Sequence, residues 1–136
     1  GRISDGYDTG KVICVGLTES VNTLAEFYSE ATVFFNPSRR ETFGKVTAEA
    51  LACGCPVVVY DNTALPELVG ERCGYVVETG NLDEARGKID DILCEGKNDY
   101  SDYCINYVKR KFDKKINIER TLEIYRHLID NKENCF

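Results

Sequence analysis

Glu41 and Glu49 are separated by seven residues in NPSRRETFGKVTAEALA, residues 36–52. Between them, Gly44 marks a turn and the following residues read as the start of a helix. This order gives a carboxylate at the mouth of a loop and then a row of backbone N–H groups. A second carboxylate follows about one and a half turns along. The first N–H groups of a helix lack intrahelical partners, and the helix dipole adds partial positive charge there. A phosphate is well received at such a place. Gly44, without a Cβ, lets a ligand approach the backbone closely. Arg39, Arg40 and Lys45 add positive charge around the loop. Glu41 would repel a phosphate placed against it, but its oxygens accept hydrogen bonds from sugar hydroxyls. Glu49 could accept in the same way from a ribose diol. Together the groups match sugar, diphosphate and ribose along one line.

The spacing alone is weak evidence, because glycine near a helix start and glutamate within a helix are both common. Arg39 and Arg40, taken alone, read as solvated loop residues. A two-carboxylate hydrolase would cast Glu41 and Glu49 as acid and base. A carboxylate on a helix interior beside a phosphate cradle is poor geometry for that mechanism.

The elements that must position these groups are legible from pattern. Val12–Leu17 is a short apolar, β-branched run that predicts a buried strand. Thr23–Glu26 has capping-box spacing, and Leu24, Phe27, Tyr28 and Ala31 then recur at helical intervals. Thr32–Asn36 predicts a second strand, stopped by Pro37. The helix after Gly44 ends near Gly54. Pro56–Tyr60 and Gly74–Glu78 predict two more strands, with a short helix at Ala64–Val69 between them. From Asp83 onward the pattern is helical in three pieces, the last with Ile118, Leu122, Tyr125 and Ile129 on one stripe. Continuous apolar strands, each followed by a helix, predict an α/β fold with a Rossmann-like parallel sheet in three layers. Ligands bind outside the carboxyl ends of such strands, where residues 36–42 would lie.

Composition sets outer bounds. The 136 residues fit one domain, with 43% hydrophobic and 29% charged residues, as in ordinary globular proteins. The net charge of −6 argues against a broad nucleic-acid-binding surface. Residues 1–82 hold 6 basic and 11 acidic side chains, and residues 83–136 hold 11 and 12. The last third is thus highly charged yet nearly neutral, as solvated helices are. The basic stretch Lys109–Lys115 fits a solvated helix face better than a lipid contact, since acidic residues interrupt and flank it. Of the seven cysteines, Cys14, Cys53, Cys55 and Cys73 lie in or beside apolar stretches, where free cysteine acts as a small hydrophobe. Cys53 and Cys55 have one residue between them and no second pair, short of a zinc ligand set. The odd count fits a reduced, intracellular protein.

The wider string FFNPSRRETFGKVTAEALACGCPVVVYDNTALPELV, residues 34–69, resembles the donor-binding signature of retaining glycosyltransferases with the GT-B fold. Val15–Ala31 is similar to the preceding strand and helix of that family, Cys73–Val77 to its last strand, and Phe112–Tyr125 to its C-terminal helical signature. The closest similarity is to bacterial capsular, lipopolysaccharide and exopolysaccharide enzymes. The resemblance implies a donor-binding domain over residues 1–136, with a nucleotide-diphosphate sugar as donor and a glycan or lipid-linked acceptor. It implies a cytoplasmic enzyme, peripheral at the inner membrane face, with no cofactor and no metal. Glu41 would be the catalytic carboxylate beside the donor hexose. The N–H groups of Phe43 and Gly44 would hold the sugar, those of Lys45 and Val46 the diphosphate, and Glu49 the ribose. Thr18 corresponds to a position lining the base pocket.

The family fold has strand order 3-2-1-4-5-6. By that comparison the first two strands, their phosphate-clamping basic residues and the acceptor-binding N-terminal domain are missing, leaving a fragment expected to be inactive alone. The strand edges so exposed would close up or recruit a neighbouring chain. The chain departs from the family where Thr63 and Ala64 replace two glycines ahead of Pro66 and Glu67. Glu67 reads equally well as the start of a helix. Two other classes fit the sequence less well. A nucleotide-sugar epimerase of the same architecture would show a His-rich cleft, whereas His127 is the only histidine and falls in the last helix. A receiver-like, non-enzymatic module would use Asp61 as phosphoacceptor, but Asp61 reads as a turn residue.

Overall fold

The structure, a computed structural model, describes residues 15–133 apart from Leu17 and Glu19. The strand expected at Val12–Leu17 lies outside the described residues, save Val15 and Gly16, which belong to no strand.

Helix α1 spans Val21–Glu30 and begins earlier than the capping-box spacing predicts. Its N-cap is Ser20, whose hydroxyl accepts the Thr23 N–H at 3.3 Å, so Thr23 sits inside the first turn. Strand β1, Phe34–Asn36, follows and ends before Pro37. Helix α2 covers Lys45–Ala52, strand β2 Val57–Tyr60, helix α3 Leu65–Leu68 and strand β3 Gly74–Val77. The C-terminal third forms α4 (Leu82–Glu95), α5 (Asn98–Phe112) and α6 (Lys114–Glu133). Gly96 interrupts the first two at a positive φ of 92. Asp113 separates the last two, its carboxylate accepting the N–H groups of Lys115 and Ile116.

The three strands form one parallel sheet in the order β1-β2-β3. Their register pairs Phe34 with Val57 and Val57 with Gly74. The central strand is buried along its whole length, which explains why VVVY shows no alternation. Each such buried side chain contributes roughly 1.5–3 kcal/mol relative to exposure. Alternation along the strands separates two faces. On one face, Phe34 packs edge-on against Tyr28 of α1, and Asn36 bonds Thr47 of α2. On the other, Phe35 meets Tyr60, and the ammonium of Lys88 in α4 lies over the Tyr75 ring. The result is a three-layer, Rossmann-like α/β fold, with helices on both faces of the sheet.

The C-terminal helices are largely solvated, as their charge predicts. The apolar stripe of α6 is not buried: Ile118, Leu122, Tyr125 and Ile129 are all exposed. The basic stretch is a solvated face, with Lys109, Arg110, Lys111, Lys114 and Lys115 all exposed, and the Lys111 ammonium also donates to the Glu67 carbonyl of α3 and to the Tyr107 hydroxyl. Cys55 and Cys73 are buried as free thiols, and burial pushes the Cys55 thiol up to about 11.

Candidate functional site

The carboxyl ends of β1, β2 and β3 open into three neighbouring loops, residues 37–44, 61–64 and 78–81. The first carries most of the candidate residues and is pinned at three places. At its start, the Asn36 side chain is buried, accepting the Ser38 N–H at 3.0 Å and donating to the Thr47 hydroxyl at 3.1 Å. In its middle, the Glu41 N–H donates to the Thr63 hydroxyl at 3.0 Å. At its end, Gly44 adopts φ 80 and ψ 48 and packs over α3. A Cβ there would stand 2.7 Å from Leu65 and 2.9 Å from Leu68 side-chain atoms, so both conformation and space favour glycine.

Gly44 is the N-cap of α2, and no side chain caps that terminus. Its carbonyl takes the Thr47 and Ala48 N–H groups, so the helix engages its own backbone from Thr47 onward. The Lys45 and Val46 N–H groups therefore remain available to an acceptor from outside the chain, among the described residues. Lys45 and Val46 are themselves exposed, as is Phe43. The Phe43 ring packs edge-on against Phe112 with centroids 5.7 Å apart, which ties the cradle to the end of α5.

Glu41 and Glu49 are both half-buried, one before the amide row and one behind it. Glu49 forms an i,i+4 ion pair with Lys45 at 3.7 Å, in which the lysine side chain is 83% exposed. Such a pair is worth only a few tenths of a kcal/mol, roughly, so a competing hydrogen bond displaces it readily. The guanidinium of Arg39 lies beside Gly80, joining the first loop to the third. Thr18 precedes α1, and its described hydrogen bond is local, with the Ser20 N–H at 3.3 Å. The structure thus brings together Glu41, Phe43, Gly44, Lys45, Val46 and Glu49, while Thr18 stays outside that set of contacts. Glu67 lies in the first turn of α3, and its carbonyl accepts the Tyr107 hydroxyl at 3.2 Å.

Several residues that shape the site escaped the sequence reading. Asn36 and Thr47 form a buried polar pair between strand and helix, and the Asn-Pro-Ser run was the available signal for its turn. A second group links the other two loops. Thr79 donates its N–H and hydroxyl to Asp61, at 2.9 and 2.7 Å, and Asn62 donates to the Thr79 hydroxyl at 2.9 Å. Those bonds from Thr79 hold the Asp61 carboxyl below the usual aspartate range.

The family model for glycosyl transferases group 1 matches residues 4–111, well over half of the chain. The chain belongs to that family. Among relatives of this group 1 glycosyl transferase, a capsular polysaccharide biosynthesis glycosyltransferase of Staphylococcus aureus is 28% identical over 67% of this chain and 30% of its own length. An O-antigen chain mannosyltransferase of Escherichia coli is 42% identical, over 44% of this chain and 16% of its own. An uncharacterised glycosyltransferase of Methanocaldococcus jannaschii is 33% identical, over 74% and 25%. The chain spans less than a third of the length of each of these relatives. Among the described residues, no helix is long and apolar enough to cross a membrane.

The buried pair makes a prediction about the frame of this group 1 domain. Thr47→Val leaves the Asn36 amide inside the core without its acceptor. Unfolding free energy is expected to fall by about 1–3 kcal/mol in urea titrations. A loss under about 0.5 kcal/mol would mean that the pair contributes nothing specific.

Proposed function

We propose that this chain is the donor-binding half of a glycosyltransferase. It would transfer a hexose from a nucleotide-diphosphate sugar to a glycan or lipid-linked acceptor, with retention of configuration. Synthesis of capsule, lipopolysaccharide or exopolysaccharide at the cytoplasmic face of the membrane is the setting proposed, by analogy with what the relatives' names describe. One observation supports this reading above the others: an uncapped helix start, opened by left-handed Gly44, lies between two half-buried glutamates at the carboxyl edge of the sheet.

In this reading the Lys45 and Val46 amides take the diphosphate and those of Phe43 and Gly44 the sugar. Glu49 exchanges its weak pair with Lys45 for the ribose hydroxyls. Glu41 accepts hydrogen bonds from the hexose and stabilises positive charge as the glycosidic bond lengthens. The departing phosphate takes the proton of the acceptor on the same face. Thr18 lines the base pocket. Phosphate clamping and acceptor binding fall to parts of the enzyme outside this chain, so residues 1–136 alone are expected to be inactive.

Calorimetric titration of the full-length enzyme with UDP-, GDP- and ADP-sugars tests the assignment. One nucleotide class is expected to bind in the micromolar range, which is about −8 kcal/mol. An intact enzyme that bound none of them would refute the donor-site reading.

A further inference from the structure

Thr63 stands out twice. It is one of two non-glycine residues with positive φ among those described, at 50°, a conformation that β-branched side chains rarely adopt. Its hydroxyl is also the acceptor for the backbone N–H of Glu41, 22 positions away in sequence. A position that favours glycine has thus taken a hydroxyl-bearing residue in spite of the strain, and strain of this kind persists only where the surroundings enforce it.

The hydroxyl has a definite partner on each side. It accepts the Glu41 N–H at 3.0 Å and donates to the Asn62 side-chain Oδ1 at 3.3 Å. The Asn62 amide donates to the Thr79 hydroxyl at 2.9 Å, and that hydroxyl donates to Asp61 at 2.7 Å. Every donor in the series points away from Glu41 and toward the Asp61 carboxylate. Successive hydrogen bonds oriented in one sense polarise and strengthen one another. The three loops at the carboxyl edge of the sheet are therefore joined by one directed chain, and Glu41 is its far end.

We propose that Thr63 is a positioning residue for Glu41, setting the backbone that carries this carboxylate and registering it to the loops after β2 and β3. The inference rests on the glycosyltransferase reading for its catalytic consequence, though not for the tie itself. The loop is already fixed near Asn36 and at Gly44, with Glu41 between them. Without the hydroxyl, the middle of the loop loses its anchor and the carboxylate wanders relative to a sugar held by the amides. Misplacement of that kind lowers turnover while leaving donor affinity largely intact, because the diphosphate is held elsewhere.

The test uses the full-length enzyme with Thr63 changed to Val, Ser and Gly. Val removes the hydroxyl with little change of shape, Ser retains it, and Gly removes it while relieving the backbone, so at least one hydroxyl-free variant folds. Two quantities are read: deuterium uptake in a peptide covering residues 37–44, and kcat and KM for the nucleotide-sugar donor. In Val and Gly, uptake is expected to be faster by about five- to tenfold, the worth of one hydrogen bond. Their kcat should fall about tenfold with KM within about twofold. Ser should restore both. Wild-type uptake in the Val and Gly variants would overturn the tie. Faster uptake with unchanged kcat, or loss of kcat in Ser as severe as in Val, would overturn the positioning role. If the unsubstituted enzyme turned over no nucleotide sugar, the proposed function would fall, whereas the uptake measurement would still decide whether Thr63 anchors Glu41.

Discussion

Glu41→Gln is expected to lower kcat of the full-length enzyme about a hundredfold or more, with the KM for the donor changed less than about threefold. The substitution is nearly isosteric, and the bond that places the loop comes from the Glu41 backbone N–H, not from its side chain. Thr63 therefore keeps its partner, and the frame of the site is retained. In the proposed donor site, what disappears is a negative charge beside the sugar. In the ground state the hexose is neutral, and an amide oxygen accepts its hydroxyls almost as well as a carboxylate does. In the transition state the anomeric centre becomes cationic, and only the carboxylate stabilises it electrostatically. The loss should thus fall on kcat. Glu49→Gln offers the contrast, since a ribose contact made equally in ground and transition states shifts KM more than kcat. Steady-state kinetics on the two variants separates the roles, and an unchanged kcat in Glu41→Gln would remove Glu41 from the chemistry.

The elements behind this site were legible because each carries a local signal. VVVY has no alternation, which is what burial on both faces produces, and it forms the central strand of the sheet. Pro37 and Gly54 close the segments before them, and the turn at Gly44 falls where a left-handed residue is needed. The start of α1 was misplaced because Thr23 and Glu26 imitate a capping box, whereas the cap is made by Ser20. Other features depend on partners distant in sequence. Glu41 and Thr63 are 22 positions apart, and Asp61 and Thr79 are 18 apart, so no periodicity announces either bond. The stripe on α6 shows the opposite limit. Its helical spacing predicted the helix correctly but not burial, since a period identifies a face and not what covers it.

The largest effect on folding is expected at Gly74, the first residue of β3. It lies opposite Val57 in the register of β2 and β3, with φ 137. A Cβ placed there would stand 1.9 Å from the Val57 carbonyl oxygen and 2.7 Å from its nitrogen. Both are backbone atoms of the central, fully buried strand, so no rotamer change relieves the contact. The Val57 N–H also donates to the Cys73 carbonyl at 3.1 Å, and moving β3 aside would break that bond as well. Gly74→Ala must therefore separate the strands at this point, at a cost of about 4 kcal/mol or more. That is a large part of the roughly 5–15 kcal/mol by which domains are stable. The consequence reaches the site, because the loop after β3 carries Thr79, which holds Asp61. Gly87 supplies the control: it lies within α4, a Cβ there meets nothing within 4 Å, and Gly87→Ala should stabilise by about 0.8–1 kcal/mol through helix propensity. Thermal unfolding of the full-length enzyme and its two variants decides the matter. A Gly74→Ala melting point within about 2 °C of wild type would mean that the strand pair yields far more easily than its geometry allows.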